Sequence, residues 1–328
     1  MGDILTVPRK VEVRMMKQID IIIPCYNESS CVKLIYSALE DVFNKHLLDY
    51  DWSVIYIDDG STDNTLSEIK DLYSIVNKGR VRYISFARNF GKEAAIYAGL
   101  ENSIGDYVAL MDADLQHPPA LLVQMVATLE SGEYDCAAAR RTSRKGEAPI
   151  RSTFSRMFYH VINWLTGLQL VPGMTDYRLM NREVVNAIVS LHEHERFIKG
   201  IYSWVGFKTK WIDYENVERA AGNSKWSFNG LWNYAKSGII AFAVTPLRSV
   251  IWLGMIVVVI SLIYGITVLH STISGVREWK DTTTIILLLL FLGGVIITVL
   301  GVIGEYIARI YMEAKNRPIY VAKEIKLD

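Results

Sequence analysis

The sequence predicts an α/β protein with a mostly parallel, doubly wound sheet, followed by a C-terminal part that crosses a membrane. Through the first two thirds of the 328 residues, short apolar runs alternate with helical segments and end in polar residues. This pattern is typical of a parallel sheet covered by helices. Further along, residues 250–269 and 285–303 form two runs without a charged side chain. Each is close to the ~20 residues that a membrane-spanning helix needs.

Local patterns predict the first elements in order. The strand candidates are short apolar runs, and Pro24 closes the first of them. Ser61, Thr62 and Asp63 are residue types that cap helices, and they precede the second helix. Strands are expected at residues 18–24, 53–57, 81–86, 107–111 and 135–139, and helices at 30–44, from 64 onward and from 92 to 100.

The composition indicates the cellular compartment of the protein but not its class of binding partner. The 35 basic and 35 acidic side chains cancel, so net charge indicates no class of partner. The three cysteines lack the spacing of a metal site or a disulfide framework, which indicates a reducing compartment. Residues 1–17 are charged and poor in apolar side chains, so we expect a flexible lead there rather than a signal peptide.

Two carboxylates, Asp112 and Asp114, directly follow the fourth predicted strand. In an open α/β sheet, ligands bind beyond the carboxyl ends of the strands. Carboxylate and amide oxygens at close quarters suit Mg²⁺ or Mn²⁺, usually shared with substrate phosphates. The alternative interpretation is a solvated, turn-forming pair of aspartates, and the motif alone does not choose between the two.

A basic segment follows the fifth predicted strand. Six arginines and lysines between residues 140 and 156 face a single acid, Glu147. The aromatic interleaving of a base-stacking surface is missing, so nucleic acid is not the expected partner. Beside a membrane, a lipid phosphate headgroup is the better candidate, and a solvated loop is the alternative.

The residues around the two apolar runs predict how the chain lies on the membrane. Residues 226–243 mix aromatic and lysine side chains, which is typical of an interfacial helix or of an amphipathic helix that covers the sheet. Arg248 and the basic residues after 303 place both ends of the hairpin on the cytoplasmic side. We therefore expect a multi-pass protein of the cytoplasmic membrane with a lead at 1–17, a main domain at 18–222, interfacial helices at 223–246, a two-helix hairpin at 247–311 and a cytoplasmic tail at 312–328.

Four ordered segments resemble those of glycosyltransferase family 2. They are 24–28 (PCYNE), 58–61 (DDGS), 88–92 (RNFGK) and 112–119 (DADLQHPP). With the two apolar runs, they are similar to polyprenyl-phosphate glycosyltransferases, which include dolichol-phosphate mannose synthases and the GtrB-type bactoprenol glucosyltransferases. The resemblance implies a GT-A, Rossmann-like catalytic domain and inverting transfer of a hexose from a nucleotide sugar to polyprenyl (undecaprenyl) phosphate.

The resemblance also implies roles for individual residues. The metal, Mg²⁺ or Mn²⁺, would be held by Asp112, Asp114 and Gln116. The nucleotide sugar would contact Pro24, Tyr26, Glu28, Asp58, Asp59 and Lys92, with Arg219 and Lys225 closing over its diphosphate. The acceptor phosphate would contact Arg140 or Arg141, Arg151 and Ser155. A plain turn at 24–28 and a polar linker at 219–225 are the alternatives.

Asp176 matches the family residue that is proposed as the catalytic base. A phosphomonoester has its second pKa near ~6, so the acceptor is already largely dianionic at neutral pH. Asp176 is therefore expected to orient the acceptor or the sugar rather than to take a proton, and the role of a true base stays open. A cap on the following helix is the structural alternative.

Several functional alternatives stay open. UDP-glucose is the donor that the GtrB-like topology suggests, and UDP-GlcNAc, an aminoarabinose donor or GDP-mannose would use the same motifs. A processive polysaccharide synthase normally has a Gln-x-x-Arg-Trp motif, which is missing here, and a non-enzymatic scaffold would be expected to have lost an acidic motif.

Residues 192–195 (HEHE) are expected to be a solvated polar segment rather than a metal site. Glycines in the second apolar run would allow close helix packing in a homo-oligomer, or face lipid: Gly293, Gly294, Gly301 and Gly304.

Overall fold

The computed structural model describes residues 16–76, 79–142, 163–164, 166–194, 196–214 and 282–328, with short stretches between 256 and 274. The described residues contain one eight-stranded mixed sheet with helices packed on both faces. The apolar runs form strands because both faces of the central sheet are buried. In the first strand, Ile21 and Ile23 face one core and Ile22 faces the other.

The strands of the sheet are defined as follows. They are β1 (Lys17–Cys25), β2 (Tyr50–Asp58), β3 (Val81–Phe86), β4 (Tyr107–Leu110), β5 (Cys136–Arg141), β6 (Met174–Asn181), β7 (Thr209–Tyr214) and β8 (Ala322–Lys326). Across the sheet, their order is β7-β5-β6-β4-β1-β2-β3-β8. The neighbours β4, β1, β2 and β3 are parallel, whereas β6 runs antiparallel to both β4 and β5. The carboxyl ends of β1, β2 and β4 therefore meet at one edge.

Helices cover this sheet in two layers. They are α1 (Val32–His46), α2 (Thr65–Ile75), α3 (Lys92–Glu101), α4 (Leu121–Glu130), α5 (Arg182–Val189), α6 (Ile198–Trp204) and α7 (Thr282–Ala314). Side chains from α1, α2 and α4 enter one core, and those from α3, α5 and α6 enter the other. The five strands and three helices predicted from the sequence are confirmed, with end points shifted by at most three residues.

Three strands were not predicted from the sequence pattern: β6, β7 and β8. In β6, two charged residues interrupt the apolar run, Asp176 and Arg178, and Arg178 is only 2% exposed. Its guanidinium lies 3.2 Å from the ring centroid of Tyr202 on α6 and donates to the Thr175 carbonyl at 3.1 Å. A ring from another element and a carbonyl of its own strand thus make a buried arginine tolerable in β6.

Part of the predicted tail at 312–328 joins the sheet as β8, antiparallel to β3. The Tyr83 hydroxyl donates to Glu324 at 2.6 Å. Just before β8, the Tyr320 ring stacks on Phe86, with ring centroids 4.9 Å apart. The segment that follows α7 is therefore anchored to the edge of the sheet.

The second predicted span lies within α7. Its stretch Leu292–Ala314 has 23 residues and contains an 18-residue window with a mean hydropathy of 1.7, so it is long and apolar enough to cross a membrane by length and composition. Within the described part of the chain, it is the one helix with these properties. The interfacial segment at 226–243 lies outside the described residues, as does most of the first predicted span at 250–269.

The polar segment at 192–195 is partly buried. His192 is exposed, whereas Glu193 and His194 are half-buried. The His194 amide donates to Glu313 near the end of α7 at 2.8 Å. Glu195 lies outside the described residues. This segment therefore touches the membrane-helix candidate instead of lying wholly in solvent.

Candidate active site

The acidic motif leaves β4 at the edge where the parallel strands end. Asp112 is the second residue after β4, and its side chain is 28% exposed. Leu115 has a φ of 57°, an unusual left-handed conformation for leucine. The chain turns there, and the Gln116 amide donates to the Asp114 carboxylate at 3.1 Å. The turn keeps the three predicted metal ligands together at the rim of the sheet.

Lys92 joins this motif to β6. Its Nζ lies 2.6 Å from Asp112 Oδ1 and 2.7 Å from Asp176 Oδ2. Lys92 opens α3, so the ammonium is placed at the rim by the first turn of a helix that packs against β1 and β2. Desolvation opposes its charge, but the two carboxylates outweigh that effect and raise the pKa of Lys92. Lys92 thus bridges two carboxylates, one on each side of the site.

Both carboxylates stay ionised because of that bridge. Burial opposes the charge of Asp112, but Lys92 and His117 together hold the pKa of Asp112 below its ordinary value. Burial likewise opposes the charge of Asp176, while Lys92 and then Lys199 lower the pKa of Asp176. The site therefore carries two fixed negative charges at neutral pH, around one ammonium group.

Asp176 lies within β6 and does not cap a helix. The cap of α5 is Asn181, whose side chain accepts from the Val184 amide at 3.0 Å, so the capping alternative is wrong. Asp176 Oδ1 is buried, and it has no hydrogen-bond partner among the described residues. A buried carboxylate oxygen without a hydrogen-bond partner lowers the stability of the fold unless a bound ligand donates a hydrogen bond to it.

The Asp58–Asp59 pair follows β2, and both residues are built into neighbouring loops. Asp58 accepts from the Ser85 hydroxyl at 2.9 Å and the Ser61 amide at 3.1 Å. Asp59 accepts from the Phe90 amide at 2.7 Å. Burial raises the pKa of Asp59 to about 6, although the amides of the 88–92 segment favour its charged form. The pair therefore fixes the loops after β2 and β3 relative to each other.

The loop after β1 packs against the loop after β2. Asn27 has a φ of 53°, and its side-chain oxygen accepts from the Thr62 amide at 2.8 Å. The Glu28 amide donates to the Thr65 hydroxyl at 2.8 Å. Pro24, Tyr26 and Glu28 are half-buried. The predicted nucleotide-binding residues thus lie along two linked loops at the same edge as Asp112.

The predicted acceptor residues are only partly within the described chain. Arg140 lies on β5 and binds Asp213 of β7 with two parallel hydrogen bonds, of 2.6 and 2.8 Å. The Arg141 amide donates to the Gly173 carbonyl at 2.9 Å. Asp213 thus holds Arg140 in one orientation at the strand end. Four of the predicted residues lie outside the described residues: Arg151, Ser155, Arg219 and Lys225.

Three residues of the site have no role in the sequence prediction. Glu93 follows Lys92 and accepts a hydrogen bond from the Ile198 amide at 3.2 Å. Burial and, to a smaller extent, the negative charge of Asp176 raise the pKa of Glu93 to about 8. His117 Nε2 lies 3.6 Å from Asp112 Oδ2, and its Nδ1 lies 2.7 Å from the Tyr214 hydroxyl. His117 lies within the acidic motif at 112–119, and this position in the sequence could have identified it as a residue of the site. Tyr214 is far away in sequence, and no local pattern marks it.

The donor set suits a hard divalent cation. Asp112 and Asp114 supply carboxylate oxygens and Gln116 an amide oxygen, the ligands that Mg²⁺ and Mn²⁺ prefer. The Lys92 ammonium against Asp112 shows that this point of the site accommodates positive charge. No cluster of three or more His, Cys, Asp or Glu side chains at metal-binding spacing occurs among the described residues. Substrate or water oxygens would have to complete the coordination shell.

Comparison with known proteins assigns the fold and the reaction class. Residues 20–189 match the family described as glycosyl transferase family 2, and residues 245–310 match the GtrB C-terminal hairpin. CsbB of Bacillus subtilis (strain 168), which carries a glycosyltransferase name, is 46% identical over 95% of this chain and 94% of that protein. The prophage bactoprenol glucosyl transferase homolog of Escherichia coli (strain K12) is 35% identical over 94% of this chain and 99% of that protein.

A third relative and a solved structure complete the comparison. The SfII prophage-derived bactoprenol glucosyl transferase of Shigella flexneri is 37% identical over 94% of this chain and 98% of that protein. A crystal structure of glucosyl-3-phosphoglycerate synthase from Mycobacterium tuberculosis has a TM-score of 0.47 and 17% identity, covering 68% of this chain and 78% of that chain. The mixed sheet with its acidic rim is a GT-A fold, and the chain belongs to glycosyltransferase family 2.

Proposed function

We propose that this enzyme transfers glucose from UDP-glucose to undecaprenyl phosphate, with inversion, at the cytoplasmic face of the membrane. The observation that carries the proposal is the meeting of Asp112, Lys92 and Asp176 at one sheet edge, in a chain that also contains the apolar helix Leu292–Ala314. The match to the GtrB hairpin supports a polyprenyl phosphate acceptor, as do the names of two relatives, a bactoprenol glucosyl transferase and a bactoprenol glucosyl transferase homolog.

The chemistry is a single displacement. An oxygen of the acceptor phosphate attacks the anomeric carbon and forms the new C–O bond. The bond to the donor diphosphate breaks, and its electron pair leaves with UDP. Asp112, Asp114 and Gln116 would hold Mg²⁺ or Mn²⁺, which supplies charge neutralisation at the leaving diphosphate. One displacement suits a site with cations and predicted phosphate-binding residues, because the part of the chain that the structure describes brings no nucleophile and base together in this site as a covalent mechanism would need.

Asp176 and Lys92 have separate roles in this proposal, one at the acceptor or sugar and the other at the diphosphate. The acceptor is largely dianionic at neutral pH, so its oxygen needs little deprotonation. Asp176 stays ionised, with one oxygen on Lys92 and the other buried without a described partner. We assign Asp176 to orienting the acceptor or a sugar hydroxyl, with proton transfer as the second candidate role. Lys92 would stabilise negative charge on the departing diphosphate, and its contact with the predicted metal ligand Asp112 supports this role.

Donor and acceptor approach from different elements. The loops that carry Pro24, Tyr26, Glu28, Asp58 and Asp59 would hold the nucleotide. The acceptor phosphate would be bound by Arg140 or Arg141, with Arg151 and Ser155. Arg219 and Lys225 would close over the diphosphate. Arginine suits phosphate oxygens because its planar guanidinium donates two parallel hydrogen bonds.

The membrane arrangement belongs to the same proposal. A two-helix hairpin at 247–311, preceded by interfacial helices at 223–246, would anchor the catalytic domain at 18–222 to the cytoplasmic face. The lipid acceptor carries its phosphate at headgroup level, where the basic segment at 140–156 can contact it. The glycines of α7 would allow a homo-oligomer through close helix packing.

A donor screen tests the proposal. Full-length protein in detergent micelles is incubated with Mg²⁺ or Mn²⁺, undecaprenyl phosphate and one labelled donor at a time: UDP-glucose, UDP-GlcNAc, an aminoarabinose donor or GDP-mannose. We expect label in the lipid fraction with UDP-glucose, and loss of that product in EDTA or in Asp114→Ala. Long polymer would instead indicate a processive synthase. Absence of turnover with every donor would contradict the proposal.

A further inference from the structure

His117 lies buried between two tyrosine rings at the back of the acidic motif. Its ring is 5.5 Å from Tyr177 and 5.5 Å from Tyr214, measured between centroids, and the residue is only 7% exposed. Its Nε2 faces Asp112 Oδ2 at 3.6 Å. The reaction proposed above gives this imidazole no task, although it lies beside a predicted metal ligand.

The contacts with Tyr214 and Asp112 together favour one tautomer of His117. The Tyr214 hydroxyl lies 2.7 Å from His117 Nδ1, so one of the two atoms donates. If Nδ1 carried the proton, the lone pair on Nε2 would point at the anionic Asp112 oxygen, which is repulsive. Burial raises the pKa of Tyr214 to about 12, so the hydroxyl keeps its proton and can donate. The favourable arrangement places the remaining N–H on Nε2, toward Asp112.

We propose that Tyr214 and His117 form a positioning chain that fixes the orientation of the Asp112 carboxylate for binding a divalent cation. This inference rests on the proposed function. Asp112 has Lys92 at one oxygen and His117 near the other. The Lys92 ammonium lies 2.6 Å from one oxygen and His117 Nε2 lies 3.6 Å from the other, so rotation of the carboxylate would move its oxygens away from both positively polarised partners. Outer partners of this kind typically change metal affinity 10- to 100-fold.

The same strand end also holds the predicted acceptor arginine. Tyr214 is the last residue of β7, and Asp213 beside it binds Arg140. Consecutive residues of a strand point to opposite faces, which agrees with a buried Tyr214 and an exposed Asp213. The end of β7 therefore supports one residue predicted for the metal and one predicted for the acceptor phosphate.

Tyr214→Phe tests the chain, and Tyr177→Phe is its matched control. Both rings contact His117, but the Tyr177 hydroxyl lies 3.4 Å from the carbonyls of Pro118 and Pro119. Each substitution deletes one hydroxyl and keeps the ring. Mn²⁺ binding to the full-length protein is measured by electron paramagnetic resonance at saturating UDP. We expect Tyr214→Phe to weaken binding about 10-fold or more, and Tyr177→Phe to change it less than about twofold.

A second pair of variants separates positioning from general damage. If the two residues act in series, adding Tyr214→Phe to His117→Gln should weaken Mn²⁺ binding no further than His117→Gln alone. Additive losses, or a Tyr214→Phe protein that binds Mn²⁺ like the wild type, would overturn the inference alone. A wild-type protein that does not bind Mn²⁺ with UDP would overturn the metal assignment of the proposed function as well, so the two failures are distinguishable. Thermal midpoints of all variants show whether each is folded.

Discussion

At the residue scale, Lys92 is the side chain on which the site converges. Its ammonium contacts carboxylates from two different strand ends, Asp112 after β4 and Asp176 in β6. Without that charge, two carboxylates would share a partly buried site with no cation between them, and like charges there resist ionisation. Lys92 therefore serves the electrostatics of the site before any substrate arrives.

We predict that Lys92→Met lowers kcat/KM for lipid glycosylation by about 10²- to 10³-fold, the usual cost of removing one charge-stabilising donor. Lys33→Met is the control, since Lys33 is 54% exposed and pairs with Glu68 on the surface. The measurement is initial rate against donor concentration at saturating lipid. Equal rates in the Lys92→Met and Lys33→Met proteins would contradict the assignment.

Asp59 gives the fold a pH dependence. Burial raises its pKa from the ordinary 3.8 to about 6, so the folded state binds this proton more tightly than the unfolded state. The stability that it contributes is present below pH ~4 and is lost as pH rises through ~6, up to roughly 3 kcal/mol for such a shift. The sign is opposite to that of an ion-paired aspartate.

We expect Asp59→Asn to remove this slope, because an amide does not titrate. The thermal midpoint of the wild type relative to Asp59→Asn should fall between pH 4 and pH 6.5, and then stay level. Asp71→Asn on α2 is the control, since Asp71 is exposed, and its difference from the wild type should not change over that interval. Parallel pH profiles of wild type and Asp59→Asn would contradict the prediction.

At the scale of elements, one glycine allows two chain segments to pass close to each other beside the predicted acceptor arginines, Arg140 and Arg141. Gly173 has a φ of +82°, and a Cβ there would lie 2.5 Å from the Arg141 carbonyl oxygen. The backbone before β6 can thus pass close to the end of β5 only with glycine. Arg140 and Arg141 owe part of their placement to this contact.

Gly173→Ala should therefore lower both stability and turnover. Gly132→Ala is a matched control, since Gly132 has a φ of +71° but a Cβ added there would meet nothing within 4 Å. Both substitutions carry the left-handed cost of about 1–2 kcal/mol, and only Gly173→Ala adds the clash. We expect a thermal midpoint several degrees lower for Gly173→Ala than for Gly132→Ala. Equal midpoints would show that the Arg141 carbonyl moves aside freely.

At the scale of the whole molecule, the proposed topology places the catalytic domain and the hairpin loop on opposite sides of the membrane. The native cysteines Cys25, Cys31 and Cys136 are all buried, so an introduced exposed cysteine gives a clean signal. Ser274→Cys lies in the loop between the proposed spans, and Ser131→Cys lies on the surface after α4.

We expect a membrane-impermeant maleimide to label Ser274→Cys in intact spheroplasts, and to label Ser131→Cys only after permeabilisation. The physical reason is the basic excess at both ends of the hairpin, which favours the cytoplasmic side. The reverse pattern of labelling would contradict the proposed orientation. Labelling of both variants in intact spheroplasts would contradict a hairpin.

The sequence by itself determined the fold class, the first five strands and the acidic motif, because these depend on periodicity and residue type along short stretches. Only the tertiary structure decided which side chains meet. Lys92 binds Asp176 across 84 residues, and His117 contacts Tyr214 across 97. Those meetings follow from the strand order, which places β6 beside β4 and brings β7 to β5. Strand order depends on the long-range packing of whole elements, so a local sequence pattern cannot predict it.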